Sequence, residues 1–232
     1  MRSNHAFERA VQALALARGR QVSSVAAPTP WTLALRAAQA PVTETLRPLG
    51  FRKGGNYYNR QAEDGLVQVV GFQSGQAVST LHGNFTVNLG VFVPCIAQLE
   101  ANSPRGRYVT DAHCEVRSRL SDIAKLGKDK WWPLDDSSSK SGAVVASALR
   151  SHGIPFLERY ASYEAILERF DEDGALPFHN AARSTLAAAI IHWDRGSSSQ
   201  AREYFGRAQN APAHNSRFAE YVVDLQARCG LG

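Results

Sequence analysis

The sequence is poor in cysteine and has no long apolar run. Its three cysteines form no metal-binding or redox spacing: Cys95, Cys114 and Cys229. An odd number argues against a disulfide framework and agrees with a reducing compartment. No apolar stretch approaches the ~20 residues that a membrane-crossing helix needs. We therefore predict a cytoplasmic protein without membrane contact, and we exclude the small disulfide-stapled class.

Motifs of catalysis and of cofactor binding are missing as well. The sequence contains no nucleophile motif around serine or cysteine, no glycine-rich phosphate loop and no zinc signature. The pair Asp135–Asp136 lacks the neighbouring histidine or cysteine that would support a metal site. His113 lies beside a charged cluster, but no motif supports it as a general base. We predict no catalytic residue, no cofactor and no metal, and we favour a function without catalysis.

The charge is unevenly distributed along a chain of ordinary globular composition. Hydrophobic residues make up 44% and charged residues 20% of the sequence. A chain of 232 residues is long enough to bury a sizeable core. The net charge is +5, and residues 1–60 hold nine Lys or Arg residues against two acidic ones. A local basic field favours an acidic partner, either a protein or a nucleic acid.

The central part of the chain has the pattern of β-strands. Short polar loops between the strands favour a mainly antiparallel sheet of four: 55–61, 66–75, 85–94 and 112–120. A helix from Trp31 to Leu46 precedes the sheet. Thr29–Pro30 is typical of a helix start, and Gly50 is typical of a helix end. Pro41 must kink or divide this helix.

The stretch FTVNLGVFVP, residues 85–94, has one regular apolar face, which we expect to pack on the helix of residues 31–48. Its other face is polar and contains Thr86, Asn88 and Gly90. We expect this face to join Gln68 or Gln73 of a neighbouring strand and the row formed by Arg117 and Arg119. Gly90 would give a partner close access to the backbone. This face would be either a partner site or the floor beneath the C-terminal helices.

Helical patterns dominate after residue 121, and they suggest three parts. We predict an α+β domain at 29–173, a helical hairpin with a capping helix at 174–232, and a short helix or extension at 1–28. The spacing of small residues in the tail resembles the back half of a tetratricopeptide unit: Gly196, Ala201, Phe205, Ala208 and Pro212. A plain helical hairpin is the alternative.

Five segments occur in an order that resembles one bacterial family: LRPLGFRKGGNYYNR, GLVQVVGFQ, FTVNLGVFVP, HCEVRSRL and DKWWPLDD. Over residues 31–165 the chain is similar to the domain-of-unknown-function family numbered four-three-zero-four. The resemblance implies no reaction and no catalytic residue. In size and style such families are similar to immunity proteins, which bind and block a toxin.

Nine residues are candidates for contact with a partner or an anion: Arg117, Arg119, Asn88, Gln73, Trp131, Arg52, Lys53, Arg60 and Tyr58. Arg117 and Arg119 could hold a carboxylate or phosphate, or could pair with Asp135, Asp136 or a glutamate. Of Trp131 and Trp132, one ring is expected in the core and one at a recognition surface.

The basic residues near Tyr57 and Tyr58 could hold single-stranded nucleic acid, although adjacent strand residues point to opposite faces. A core tyrosine beside a solvated basic turn is the alternative. The leading hypothesis is an immunity-like or antitoxin-like protein that binds and blocks another protein, one with an acidic surface. The alternatives are a nucleic-acid-associated protein and an enzyme that acts on a small anionic substrate.

Overall fold

The computed structural model describes residues 28–75, 83–211 and 216–232. The predicted extension at residues 1–28 therefore lies almost entirely outside the described residues. The described helices are α1 (Pro30–Leu46), α2 (Pro94–Leu99), α3 (Leu120–Ile123), α4 (Ser138–Ala148), α5 (Ile154–Glu158), α6 (Tyr163–Asp173), α7 (Ala181–Asp194), α8 (Ser198–Gln209) and α9 (Ser216–Arg228). A π-helical turn, Leu149–Gly153, joins α4 to α5.

An antiparallel sheet forms the centre of the fold, which confirms the α+β class. Its strands are β1 (Arg52–Gly54), β2 (Tyr57–Gln61), β3 (Val67–Gly75), β4 (Gly83–Phe92), β5 (Val116–Arg119) and β6 (Trp132–Leu134). The order is β1-β2-β3-β4-β5, and β6 pairs with the first residues of β4, beside β5. Strands β1 and β6 were not predicted from the sequence, because each has three residues, too few to show a period of two.

The predicted strand at 112–120 is shorter than expected. Residues Asp111–His113 form a turn of 3-10 helix, and β5 begins only at Val116. His113 therefore lies in a turn and not on a strand. In this turn its Nδ1 is 2.8 Å from the hydroxyl of Thr110.

Helix α1 begins at Pro30, as predicted, and continues through Pro41 without a break. Proline lacks the N–H that would bond to the preceding turn. Hydroxyl groups supplement the backbone here: Thr43 donates to the carbonyl of Gln39 at 2.8 Å, and Thr45 to that of Pro41 at 3.0 Å. A 3-10 turn then ends at Gly50, whose φ of +86° favours glycine.

The core lies between one face of the sheet and the helices. The alternating apolar residues of β4 belong to one cluster with Val42 and Leu46 of α1, which confirms the predicted packing on this helix. Four rings run across neighbouring strands, with centroid separations of 6.1, 5.4 and 5.6 Å: Tyr58, Phe72, Phe85 and Trp132. Fully burying one such large side chain contributes about 1.5–3 kcal/mol.

The second face of the sheet is partly covered by the segment that joins α2 to β5. Val109 and Cys114 of this segment form a smaller buried cluster with Val67, Val69 and Phe92. Gly90 lies beneath this cover: a β-carbon there would be 2.6 Å from the β-carbon of Cys114 and 2.7 Å from its sulfur. The bare backbone at Gly90 therefore admits Cys114 and is not open to a partner.

Gln68 lies on the core face, so of the two glutamines only Gln73 joins the polar face of β4. Gln68 faces Val91 across the β3–β4 pair and is 1% exposed. Its side-chain amide donates to the carbonyl of Leu157 at 2.9 Å and accepts from Arg60 at 2.8 Å. Two polar partners thus make its burial tolerable.

The C-terminal helices join the same core. Trp31–Gly232 forms one compact unit, and Leu186 and Ile190 of α7 are buried in the cluster that also contains the sheet. Helices α7 and α8 pack against each other through small and aromatic residues, among them Ala201 and Phe205. The predicted boundary at residue 173 falls inside this unit. The tetratricopeptide-like character of the tail stays a prediction, and Pro212 lies outside the described residues.

Candidate functional site

The fold brings four of the nine predicted residues into one place. Gln73, Asn88, Arg117 and Arg119 project from the same face of the sheet, because Asn88 is opposite Arg119, and Gly90 is opposite Arg117, in the β4–β5 pair. They line a cleft with a volume of about 330 Å³. We call it the polar cleft; its remaining lining residues are Leu89, Ser118, Asp122 and Phe178.

A network of side-chain amides forms the back wall of the polar cleft. The side-chain nitrogen of Asn88 donates to Gln73 Oε1 at 3.0 Å and to Asp111 Oδ2 at 2.9 Å. Gly71 makes room for the ring of Tyr57 and for the carboxylate, since a β-carbon there would lie 3.0 Å from the ring and 3.3 Å from Asp111 Oδ1. Asp111 was not among the predicted residues, because it lies in a turn outside the sheet and no local sequence pattern marks it.

The two arginines of the cleft have different surroundings. Arg119 forms an ion pair with Asp129, and its guanidinium carbon lies 5.5 Å from the ring centre of Trp131. Arg117 has only a longer contact, 3.6 Å from its Nη2 to Asp111 Oδ2. The described ion pairs of Arg117 and Arg119 are thus with Asp111 and Asp129, whereas the sequence offered Asp135, Asp136 or a glutamate.

An exposed aromatic ring covers Arg117. The ring centre of Phe178 lies 4.3 Å from the guanidinium carbon, and the residue is 70% exposed. Its φ is +78°, a backbone conformation that costs a bulky residue free energy. The backbone nitrogen of Arg117 donates to the carbonyl of Pro177 at 3.4 Å, which holds this loop at the edge of the sheet. No strand or helix pattern in the sequence indicated this residue.

The two tryptophans divide as predicted between core and surface. Trp132 is buried and stacks on Phe85, whereas Trp131 is partly exposed above Arg119. Trp131 also lies against Gly75, where a β-carbon would be 2.9 Å from its ring.

A partly buried ion cluster around the buried Glu115 lies beside β5 and connects the sheet to α7. The Arg183 guanidinium donates to Glu115 through Nε at 3.1 Å and through Nη2 at 2.7 Å, and it also pairs with Glu100. Burial alone would lower the pKa of Arg183, but the two glutamates outweigh it and raise the pKa. Burial lowers the pKa of His179, against the opposing effect of Glu115, whose Oε1 is 3.5 Å from His179 Nε2. These ion pairs join α7 to the residues just before β5 and to Glu100, which follows α2.

A second surface lies at the opposite end of the sheet, around the edge strand β1. We call it the basic edge and define it by five exposed cations: Arg36, Arg47, Arg52, Lys53 and Arg107. Two clefts of about 500 and 570 Å³ adjoin there and share Gly50 and Arg52 in their walls.

The charges of the basic edge are not neutralised locally. Within the described parts of the chain, none of the five cations forms an ion pair. The pKa of Lys53 is lowered by partial burial and by the nearby charge of Arg36. Neighbouring cations therefore repel one another here, and an anionic partner would relieve that repulsion.

Two predicted residues near the basic edge face other groups. The ring of Tyr58 is 1% exposed, and its hydroxyl is 2.8 Å from that of Thr43, so it offers no face to a partner. Arg60 pairs with Glu158 and stacks over Phe51, 4.7 Å from the ring centre. Arg60 thus closes a gap between the sheet and α5.

The described residues contain no group that signals metal or thiol chemistry. Across 28–75, 83–211 and 216–232, no three His, Cys, Asp or Glu side chains converge to hold a metal ion. Burial raises the pKa of all three thiols, that of Cys95 to about 12 and that of Cys229 to about 11. None is therefore a thiolate near neutral pH. No helix in these ranges is both long and apolar enough to span a bilayer.

Comparison with known families gives one result. Residues 42–159 match the family described as Domain of unknown function (DUF4304). No curated protein and no solved structure matches the chain. The matched segment contains all six described strands, most of the basic edge and every lining residue of the polar cleft except Phe178. Because the match covers just over half of the 232 residues, the chain belongs to the DUF4304 family, as its sequence motifs predicted.

Proposed function

We propose that this chain is a non-catalytic binding protein that recognises an acidic surface of another protein through the basic edge. The observation that carries the proposal is the group of five exposed cations without acidic partners among the described residues. Arg60, Arg119 and Arg183 are paired with acidic residues. Exposed arginines such as Arg202 are also unpaired among the described residues, and the basic edge differs in that five such cations lie around one strand. Unpaired charge of one sign raises the rate at which an oppositely charged partner associates.

The position of the basic edge supports the same function. Strand β1 lies at the end of the sheet order, so one of its sides has no neighbouring strand among the described residues. The clefts on either side of Gly50 give a partner concave surfaces between the cations. A short strand with basic side chains is also a common protection against edge-to-edge aggregation. Photo-cross-linking in cells distinguishes this protective role from recognition of a partner.

A protein partner is favoured over a single-stranded nucleic acid for one structural reason. Proteins that bind single strands combine cations with aromatic rings on which bases stack. At this edge the ring of Tyr58 is buried, and that of Tyr108 lies against Gly54 and donates its hydroxyl to the carbonyl of Lys53 at 2.9 Å. The cations thus lack free stacking platforms beside them.

An immunity or antitoxin role would be a special case of this binding, in which the acidic partner is a toxin that the chain blocks. We place the protein in the cytoplasm, since its three cysteines are all free thiols. Nucleic-acid binding stays the alternative, because the same cations would also pair with phosphates.

The test uses photo-cross-linking in cells of the protein's own source. A photoreactive phenylalanine replaces Arg47 in one variant and Arg202, an exposed arginine of α8, in the control. We expect position 47 to capture a protein whose cross-linked peptide is rich in Asp and Glu, and position 202 not to capture it. Capture of the same proteins at both positions would contradict the proposal.

A titration then separates protein from nucleic acid. The triple variant Arg47→Glu, Arg52→Glu, Lys53→Glu should lower affinity for the captured protein at least ~10-fold, since each close charge pair is worth about 1.5 kcal/mol or more. The matched control makes the same change at Arg195, Arg202 and Arg217, and should keep affinity within about twofold. A labelled oligothymidylate should bind weakly. A salt slope steeper than about −2 that collapses in the triple variant would instead establish nucleic-acid binding.

A further inference from the structure

We propose that the polar cleft binds a small zwitterion, a free amino acid or a dipeptide, with its carboxylate on Arg117 and its ammonium group on Asp122. The cleft lies at the opposite end of the strand order from the basic edge, and it shares no residue with it. The inference therefore stands or falls independently of the proposed function.

Arg117 supplies the anion-binding half of the site. Its guanidinium has five N–H donors, and in the described part of the chain none of them makes a hydrogen bond. The 3.6 Å contact to Asp111 is too long to be one. Free donors in a fixed fork match a carboxylate well, because two parallel N–H···O bonds can form.

Asp122 supplies the cation-binding half. It is exposed at the mouth of the cleft, and its carboxylate forms no ion pair with a described residue. The one described hydrogen bond of this carboxylate is accepted from the hydroxyl of Ser121 at 3.4 Å. Arg119, the other cation of the cleft, is already paired with Asp129, so Arg117 and Asp122 are the charges left for a ligand. Asp122 would repel the second negative charge of a phosphate, whereas it attracts the ammonium group of a zwitterion whose carboxylate meets Arg117.

The amide wall offers one donor and one acceptor between these charges. The carboxylate of Asp111 can only accept, so the nitrogen of Asn88 must point to it. This assignment leaves Asn88 Oδ1 and Gln73 Nε2 without a partner among the described residues. A few polar groups that converge in a small concave space are typical of ligand sites, whose volumes begin at about 300 Å³.

Phe178 supplies the apolar wall, and its conformation argues for a purpose. Glycine would adopt a φ of +78° without strain, yet the position holds a large, exposed aromatic ring over Arg117. Backbone strain of this kind persists where the surrounding structure uses it, often at ligand sites. The guanidinium occupies one face of the ring, and a ligand side chain can pack beside it.

Isothermal titration calorimetry of the full chain measures its affinity for glycyl-L-phenylalanine and for L-phenylalanine. Two blocked forms of the dipeptide test the charges: the N-acetyl form lacks the cation, and the C-terminal amide lacks the anion. We expect both blocked forms to bind at least ~10-fold more weakly than the parent, since a hydrogen bond to a charged group is worth about that factor or more. Tighter binding of the dipeptide than of phenylalanine identifies a peptide ligand, and the reverse identifies a free amino acid.

Variants assign the two ends. Arg117→Gln should remove binding, and Asp122→Asn should remove the preference for the free amine over the N-acetyl form. The matched controls Arg202→Gln and Asp136→Asn change exposed side chains elsewhere and should bind as the unaltered protein does. Phe178→Gly should keep its melting temperature, because glycine relieves the strained φ, and should still lose affinity.

Three outcomes would overturn the proposal. The first is that no zwitterion binds at millimolar concentration. The second is that the N-acetyl form, or inorganic phosphate, binds as tightly as the dipeptide, which would make the cleft a simple anion site. The third is that Phe178→Gly binds normally, which would leave the strained ring without a role in recognition.

Discussion

Replacing Gly90 by alanine should destabilise the fold, because the new methyl group meets Cys114 and not a free surface. An ideal β-carbon at Gly90 would lie 2.6 Å from the β-carbon of Cys114, 2.7 Å from its sulfur and 3.2 Å from the carbonyl oxygen of Val116. Ordinary contacts between carbon atoms are about 3.5–4.0 Å, so a shift of roughly 1 Å is required. Cys114 cannot easily move away, since the backbone nitrogen of Glu115 donates to the carbonyl of Val91 at 3.0 Å.

The magnitude follows from two opposing effects. Overpacking of this kind costs about 1–3 kcal/mol, whereas glycine-to-alanine replacement gains about 0.4–1 kcal/mol by restricting the unfolded chain. We expect a net loss of about 1–2 kcal/mol in the free energy of unfolding, which lowers the melting temperature by roughly 2–8 °C for a chain of this size. Gly90→Val should lose more.

Urea unfolding followed by tryptophan fluorescence measures this loss, and a double-mutant cycle assigns it. Cys114→Gly removes both atoms that meet the new methyl group. The double variant should therefore be at least ~1 kcal/mol more stable than the sum of the two single changes predicts. Unchanged stability of Gly90→Ala, or strictly additive effects, would refute the claim that Cys114 is the reason for this glycine.

Four further perturbations test the packing of the tail. Arg183→Met should cost about 3–5 kcal/mol, measured by urea unfolding, because it leaves the buried Glu115 and the partly buried Glu100 without their cation. Removing residues 174–232 should abolish cooperative melting in calorimetry, since Leu186 belongs to the same core as the sheet; a sharp transition would support the two predicted domains. The lowered pKa of His179 means that protonation opposes folding, so stability should fall as the pH drops below about 6.5, and His179→Gln should flatten that fall in melting curves at several pH values. Gly206→Ala should raise stability by about 0.5–1 kcal/mol in the same urea assay, because it lies inside α8 and no atom obstructs a β-carbon there.

Local sequence patterns were sufficient for the elements that are defined by their own residues. The alternation of residues 85–93 predicted the long strand β4 and its buried face, and Thr29–Pro30 marked the helix start that the structure shows. Gly50, predicted as the helix end, instead ends the 3-10 turn that follows α1. These signals are local, since a strand's period and a cap's backbone conformation depend on neighbours in the chain. The motifs of the same region also identified the family.

The pairing of the strands and the burial of each sheet face, by contrast, were decided by tertiary structure. The sequence predicted one polar face with Asn88, Arg117, Arg119 and either Gln68 or Gln73, but the register of β3, β4 and β5 decided between the two glutamines and formed the cleft. Phe178 reaches the cleft from the loop before α7, and Asp111, which holds the side chain of Asn88, comes from a turn. The same dependence explains Tyr58 and Gly90: one is buried by α1 and the other is covered by Cys114. Periodicity states which side chains share a face, whereas burial of that face depends on segments far away in the sequence, and no local pattern contains them.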